Sequence, residues 1–181
     1  MIKIINYKNG DSLKPILARS QFSYDNINKK VKAILEDVKK NGDKALIKYN
    51  KEFDNADTKT LEVSKKEIDS AYNRIDNKFK KTLNLAYKNI EKFHKKQIRN
   101  GFITNEDNGI VMGQIINPIE KVGVYIPGGT AIYPSTVLMN VIPAKVAKVL
   151  EIILVSPPNK NGKISDIILA AAKISSLKFT K

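Results

Sequence analysis

A short apolar segment that enters a Pro-Gly-Gly turn is the feature that most limits how this chain can fold. It reads Val122-Gly-Val-Tyr-Ile-Pro-Gly-Gly-Thr130, and residues 133–147 follow it with apolar side chains at helical spacing. That order is typical of a strand, a tight loop and a helix. Because glycine has no Cβ, such a loop allows backbone N–H groups to approach a ligand closely. The segment therefore predicts a strand-to-helix connection that can line a binding site.

The same order is repeated after this helix. Glu151-Ile-Ile-Leu-Val155 is an apolar run typical of a strand buried on both faces, and Ser165-Asp166 opens another apolar-periodic segment. An alternation of strands and helices implies a parallel sheet with right-handed crossovers. We expect Ser135 or Thr136 to cap the first of these helices, and Pro143 to kink that helix or divide it in two.

The first hundred residues carry a pattern that predicts helices. Residues 25–41 place apolar side chains on one face, and Asn41-Gly42 supplies a stop. The residues on that face are Ile27, Val31, Ile34, Leu35 and Val38. Ser64-Lys-Lys-Glu67 is a capping box before a third helix, and a fourth is expected from Lys78 to Gln97. The predicted fold class is α/β, with a helical N-terminal region (1–104) followed by half of an incomplete Rossmann-like parallel sheet (105–181).

The composition excludes several classes of protein. The 181-residue chain has no cysteine, which excludes disulfides and thiolate metal sites. It contains no run of about eighteen apolar residues, so no membrane span is expected. The start, Met1-Ile-Lys-Ile-Ile-Asn-Tyr7, lacks the apolar core and the cleavage site of a signal peptide. We therefore expect a cytoplasmic protein that makes no use of a membrane.

The net charge of +14 permits two interpretations. One is a basic protein that binds nucleic acid. The other is biased amino-acid usage, because all basic residues except Arg19, Arg74 and Arg99 are lysines, spread along the chain among many asparagines and isoleucines. Arginine is the residue preferred for bidentate phosphate and base contacts. Nucleic-acid binding is therefore the less favoured interpretation.

Four blocks in the second half of the chain resemble the histidinol dehydrogenase family. They are Gly123-Val-Tyr-Ile-Pro-Gly-Gly129, Ser135-Thr-Val-Leu-Met139, Pro143-Ala-Lys-Val-Ala147 and Val155-Ser-Pro-Pro158. Weaker similarity covers residues 41–49 and 89–94. A single Pro-Gly-Gly is common, whereas four ordered blocks with compatible spacing are specific.

The resemblance implies an NAD-dependent, zinc-containing homodimer that oxidises L-histidinol through the aldehyde to L-histidine. Its two incomplete Rossmann-like units agree with the fold predicted above. The tyrosine of the matching block binds NAD in the family, which points to Tyr125, and Gly128 and Gly129 would shape the loop beside the cofactor. From spacing alone, Tyr125 is equally a strand residue packed under a helix, and the glycines are equally a left-handed turn.

The resemblance also implies that the family's catalytic and zinc-binding residues lie beyond Lys181, so we assign no catalytic or metal residue here. A single histidine, His94, cannot build such a metal site, and we expect it to be a partly exposed helix residue. Asp166 is expected to be a cap or a first-turn acid. We therefore expect an inactive N-terminal fragment that is marginally stable and prone to aggregate, because no further elements pack against part of the apolar surface of its strands.

A further alternative is a binding module without chemistry. In that interpretation the Gly-Gly loop and the following helix hold a nucleotide or another anion, and no reaction follows. Tight binding of NAD by this chain would favour it.

Overall fold

Six helices and four strands follow one another in the parts of the chain that this computed structural model describes, residues 24–128 and 132–175. In chain order they are α1 (Asp25–Asn41), α2 (Asp43–Asp54), α3 (Lys65–Arg74), α4 (Asn77–Lys95), β1 (Phe102–Asn105), β2 (Val111–Gln114), β3 (Lys121–Tyr125), α5 (Pro134–Val146), β4 (Glu151–Val155) and α6 (Asp166–Ile174). The chain divides into two compact units, Met1–Ala45 and Leu46–Lys181, with the boundary inside α2. The division predicted between residues 104 and 105 stays a prediction.

Local capping chemistry sets the ends of the N-terminal helices. The hydroxyl of Ser64 accepts a hydrogen bond from the N–H of Glu67 (3.2 Å), so half of the predicted capping box is formed. Asp76 caps α4 in the same way, accepting from the N–H of Phe79 at 2.9 Å. At the end of α1, Gly42 has a φ of 55°, and its N–H donates to the carbonyl of Val38. The predicted glycine stop is therefore confirmed.

The described strands form two separate two-stranded sheets. β1 and β2 are an antiparallel hairpin in which Ile103 faces Gly113. β3 and β4 are parallel, with Val124 beside Leu154, and α5 makes the crossover between them. The predicted α/β class and the order of strand, helix, strand and helix are confirmed. The sequence analysis missed β1, since its four residues are followed at once by a turn cluster.

One face of the parallel sheet carries the main core. Val124 of β3 and Ile126 just after it are buried beneath α5, α4 and α6. Those helices contribute Leu83, Val137, Leu138, Val141, Ile142 and Ile168. Burial of each such side chain contributes about 1.5–3 kcal/mol. The helices α4, α5 and α6 are therefore all packed on the same side of β3 and β4.

Small side chains allow α3 and α6 to approach closely. Ala71 of α3 and the run Ala170–Ala172 of α6 are fully buried. Two ion pairs join the same helices, Arg74 with Asp166 at 2.6 Å and Asp69 with Lys173 at 2.8 Å. The start of α6 is thereby fixed to the end of α3.

The burial predicted for β4 is wrong, and the apolar face of α1 is not buried either. β4 is not buried on both faces, because Ile153 and Val155 are about half exposed (49% and 50%). The described residues supply helices for one face of the sheet alone. In α1 no residue is buried, although its apolar face has helical spacing. Apolar periodicity shows which face is able to pack, and burial also requires a partner.

The start and the course of α5 also differ from the predictions. The helix begins with Pro134 at its first position, and neither Ser135 nor Thr136 is the N-cap residue. Proline suits the first helical position, since its fixed φ is helical and its missing N–H has no partner there. Pro143 does not divide the helix, which continues to Val146, and the alternative of a kink at Pro143 stays a prediction. A proline one turn from the end removes a single hydrogen bond, so the helix tolerates it.

Candidate functional site

Tyr125 is the last residue of β3, at the carboxyl end of the parallel sheet. Its side chain is 63% exposed, and its strand partner is Val155. It lies opposite the face that α4, α5 and α6 cover, since alternate residues of a strand point to opposite faces. The interpretation of Tyr125 as a residue packed under a helix is therefore wrong. An exposed tyrosine at the carboxyl edge of a parallel sheet can contact a ligand there.

Gly128 is required by a close approach of two loops. A Cβ at this position would lie 2.9 Å from the carbonyl oxygen of Pro157 and 3.1 Å from the hydroxyl oxygen of Ser156. Its φ is not positive, so the alternative of a left-handed turn at Gly128 is wrong. The loop after β3 thus packs against the loop after β4. Gly129 falls outside the described residues, and its assignment stays a prediction.

A small cavity of about 210 Å³ opens where these two loops meet. Its walls include Gly128, Ser156, Pro157, Asn159, Lys163 and Ser165. Ile132, Pro157 and Ile168 make the lining more apolar than polar, and its polar side chains carry two hydroxyls, one amide and one ammonium group. The sequence analysis did not assign the residues from the second loop to a site. The rule that ligands bind beyond the carboxyl ends of parallel strands could have found them, since Ser156 directly follows β4.

Backbone contacts hold the second loop in place. The side-chain oxygen of Asn159 accepts hydrogen bonds from the N–H groups of Asn161 (2.9 Å) and Lys163 (3.1 Å). Gly162 has a φ of 69°, and a Cβ there would lie 2.6 Å from the carbonyl oxygen of Asp57. The loop is therefore fitted against the segment that follows α2.

The start of α6 is held by a bidentate ion pair. The guanidinium of Arg74 donates from Nε and Nη2 to the two carboxylate oxygens of Asp166, both at 2.6 Å. These hydrogen bonds, with the positive charge of Arg74, hold the pKa of Asp166 below its usual value. Asp166 is a first-turn acid, as predicted, while the N-cap residue is Ser165. Because Ser165 lines the cavity, the pair fixes one of the cavity walls.

The described residues do not form a metal site. No group of three or more histidine, cysteine, aspartate or glutamate side chains comes together within residues 24–128 and 132–175. His94 lies partly exposed on α4, where its Nδ1 is 2.6 Å from the side-chain oxygen of Gln97. The expectation of a partly exposed helix residue is confirmed. Within the same residues, no helix is both long and apolar enough to cross a membrane.

Comparisons with known proteins identify the family. A family model described as histidinol dehydrogenase matches residues 17–179. The chain belongs to the histidinol dehydrogenase family. Among curated histidinol dehydrogenases, the one from Clostridium acetobutylicum is 48% identical over 149 residues, which are 82% of this chain and 35% of that protein. The one from Listeria innocua is 47% identical over 156 residues, 86% of this chain and 36% of that protein.

A solved structure shares the fold. The crystal structure of histidinol dehydrogenase from Elizabethkingia anophelis matches with a TM-score of 0.80 and 39% sequence identity, over 84% of this chain and 35% of that chain. The chain thus spans about a third of the length of the relatives that it matches, and the matched part is N-terminal.

Proposed function

We propose that this chain supplies the N-terminal part of an NAD-dependent histidinol dehydrogenase, which oxidises L-histidinol through the aldehyde to L-histidine. The match over residues 17–179 to that family supports the reaction class, oxidoreduction in histidine biosynthesis. The same relation supports a cytoplasmic homodimer as the working form. Because the chain covers 35% of the relatives' length, we propose that it lacks the activity when alone.

The observation that carries the proposal is the position of Tyr125 and Gly128 at the carboxyl edge of a parallel strand pair. Open α/β sheets bind nucleotides beyond this edge, and there the two loops leave a small cavity with both apolar and polar lining residues. The ring of Tyr125 offers an exposed aromatic surface to a flat heterocycle. Gly128 allows the backbone to pass close to the second loop, which brings Lys163 and Ser156 to the same cavity.

The size of the cavity fits a partial NAD site. Pockets that enclose a drug-sized ligand measure about 300–1,000 Å³. The cavity of about 210 Å³ is smaller, so the described residues can form one wall and hold one part of a dinucleotide. NAD would supply the acceptor for hydride in each oxidation step. This chain would orient that cofactor and exclude water from one side of it.

Zinc does not fit the described residues. They contain no cluster of ligands, and the imidazole of His94 already interacts with Gln97. We therefore propose that zinc, which the family resemblance implies, depends on residues that this chain does not contribute, and we assign no step to it.

A chimeric enzyme tests the proposed function. Residues 17–179 of this chain would replace the matching segment of the Clostridium acetobutylicum histidinol dehydrogenase. We expect NADH to form when L-histidinol and NAD are added. Tyr125→Ala in the chimera should raise the KM for NAD about tenfold and change kcat less, because it removes an aromatic contact with the cofactor.

The control is Tyr24→Ala, since Tyr24 is exposed to a similar degree (58% against 63%) and lies at the start of α1. It should leave the KM for NAD unchanged. A folded chimera without activity would contradict the proposed function, and equal KM values for the two variants would contradict the role of Tyr125.

One observation favours a second candidate, the binding module without chemistry. The residues around the cavity include Lys163, Ser156 and Ser165, whose ammonium and hydroxyl groups suit an anion. Calorimetry of the chain alone with NAD separates the two proposals. Weak or undetectable binding is expected for a partial site, whereas tight binding would favour the module.

A further inference from the structure

Asn-Gly pairs are positions where a chain can modify itself, because asparagine is among the thermolabile residues of proteins. The backbone nitrogen of the glycine attacks the side-chain carbonyl carbon of the asparagine, and a glycine has no Cβ to obstruct that approach. The sequence contains this pair at positions 9–10, 41–42, 100–101, 108–109 and 161–162. The first pair falls outside the described residues, and the structure separates the other four by how firmly each is held.

Three of the four described pairs are closed into turns by hydrogen bonds. Their glycines, Gly42, Gly109 and Gly162, have positive φ values of 55°, 83° and 69°. Each glycine N–H donates to a backbone carbonyl three or four residues earlier, at 2.8 or 2.9 Å. The acceptors are the carbonyls of Val38, Glu106 and Asn159. At all three positions the attacking nitrogen is therefore held in place.

Further contacts hold the asparagine side chain or the surrounding loop. Nδ2 of Asn41 donates to a carboxylate oxygen of Asp37 at 2.6 Å. The side-chain oxygen of Asn108 accepts from the N–H of Ile110 at 3.1 Å. The third turn belongs to the loop after β4, which Gly162 fits against the segment after α2. Ring closure at these pairs would first require such contacts to break.

The pair formed by Asn100 and Gly101 differs from the other three. Both residues are exposed, and they lie between α4 and β1. The φ of Gly101 is not positive, and its N–H has no backbone acceptor among the residues that the structure describes. Within the same residues, the side chain of Asn100 has no hydrogen-bond partner. Neither the attacking nitrogen nor the amide that it attacks is held.

We propose that Asn100 is a site of spontaneous deamidation, and that it reacts ahead of the other described Asn-Gly pairs. The nitrogen of Gly101 forms a bond to Cγ of Asn100, and the bond from Cγ to Nδ2 breaks. The displaced amide leaves as ammonia, taking the proton of the Gly101 N–H. Water then opens the cyclic succinimide at one of its two carbonyl carbons, which leaves aspartate or isoaspartate at position 100. Nothing is oxidised or reduced, and the inference does not depend on the proposed function.

The modification changes the junction between α4 and β1. Either product places a carboxylate next to Arg99, in the basic segment 95–99. Isoaspartate also lengthens the backbone by one carbon just before Gly101, where an added Cβ would already clash with the carbonyl oxygen of Gln114. The start of the hairpin would therefore shift relative to β2.

The test incubates the full 181-residue chain at mildly alkaline pH, with and without urea, and follows each pair by peptide mapping with mass spectrometry. Urea removes the hydrogen bonds, so the four described pairs should react at similar rates there. In buffer, Asn100 should keep the rate that it has in urea. The other three should be slower than in urea by roughly twofold to tenfold for each hydrogen bond that must break. Circular dichroism before incubation establishes that the chain is folded in buffer.

Two variants sharpen the test. Asn100→Gln keeps the amide but requires a larger ring that closes more slowly, so it should remove the early product and leave the other three rates unchanged. Asp37→Ala removes the carboxylate that holds the amide of Asn41. It should raise the rate at Asn41 in buffer by roughly twofold or more, and leave that rate unchanged in urea.

Three results would overturn the inference. The first is a rate at Asn100 in buffer that falls below its rate in urea as far as the other three rates do. The second is equal or earlier product at any of the held pairs in the folded chain. The third is a rate at Asn41 that Asp37→Ala leaves unchanged in buffer. No measurement involves NAD or L-histidinol, so each outcome is separate from the proposed function.

Discussion

At the scale of single residues, Gly162 determines whether the loop after β4 can reach its place. Its φ of 69° is a conformation that side chains disfavour, and the carbonyl oxygen of Asp57 occupies the space of a Cβ. The neighbouring Thr58 and Ala56 are buried, so this contact belongs to the packed part of the molecule. The cavity therefore depends on a glycine that does not line it.

Gly162→Ala should lower the free energy of unfolding by about 1–3 kcal/mol, because it combines an unfavourable φ with a backbone clash. The matched control is Gly123→Ala in β3, where no atom lies within 4 Å of the added Cβ and φ is not positive. That substitution should be neutral. Urea unfolding followed by circular dichroism measures both, and equal stability of the two variants would contradict this role of Gly162.

The role of a residue could be predicted from the sequence only where a single local motif determines that role. The Tyr-Ile-Pro-Gly-Gly block predicted that Tyr125 and Gly128 lie at a strand end, and they do. It could not predict why Gly128 is glycine, because the loop that it touches is about thirty residues further along the chain. The cavity residues Asn159 and Lys163 were missed for the same reason.

At the scale of secondary-structure elements, the packing of α3 against α6 sets one wall of the cavity. Arg74 lies at the end of α3, and Asp166 in the first turn of α6. The carboxylate also lies at the positive end of the helix dipole, which favours its ionised form. The contribution of the Arg74–Asp166 ion pair to the packing of α3 against α6 therefore depends on pH.

The sign of that dependence follows from the lowered pKa of Asp166. A carboxyl group whose pKa is lowered by folding stabilises the folded state above its ordinary pKa of about 3.9, and the contribution disappears as the pH falls through the lowered value. Asp166→Asn should therefore lower the Tm by about 1–3 °C near pH 7. The difference between wild type and variant should vanish in acid, once the pH lies below the lowered pKa of Asp166.

Calorimetric scans from neutral to acidic pH measure this difference. Asp57→Asn is a control, because Asp57 lies outside the helix pair and forms no ion pair with the residues that the structure describes. A Tm difference for Asp166→Asn that stays constant down to the lowest pH would contradict the contribution of the Arg74 pair.

The ends of the helices could be predicted from local capping contacts. The burial of helices and strands could not be predicted in this way. Ser64 and Gly42 were predicted at helix ends because their capping contacts span three or four residues. The exposure of β4 could not be predicted, since it depends on which polypeptide covers the second face of the sheet. The same applies to α1, whose apolar face has no buried residue.

At the scale of the whole molecule, exposed apolar surface is the main feature of the unit Leu46–Lys181. The parallel sheet exposes Tyr125, Ile153 and Val155. The hairpin of β1 and β2 exposes every residue, including Ile103 (73%) and Val111 (66%). An isolated two-stranded hairpin is marginally stable in water. Such surfaces mark interaction sites or cause aggregation.

We therefore expect the chain alone to bind a hydrophobic dye and to self-associate with rising concentration. A chain that remains monomeric without dye binding would contradict this expectation.

The formation of NADH from L-histidinol tests the central claim most directly. It is measured for the 181-residue chain alone and for the chimera in which residues 17–179 replace the matching segment of the Clostridium acetobutylicum enzyme. We predict no activity from the chain alone and activity from the chimera, with a raised KM for NAD when Tyr125→Ala is introduced. Activity of the chain alone, or a folded chimera that forms no NADH, would contradict the proposed function.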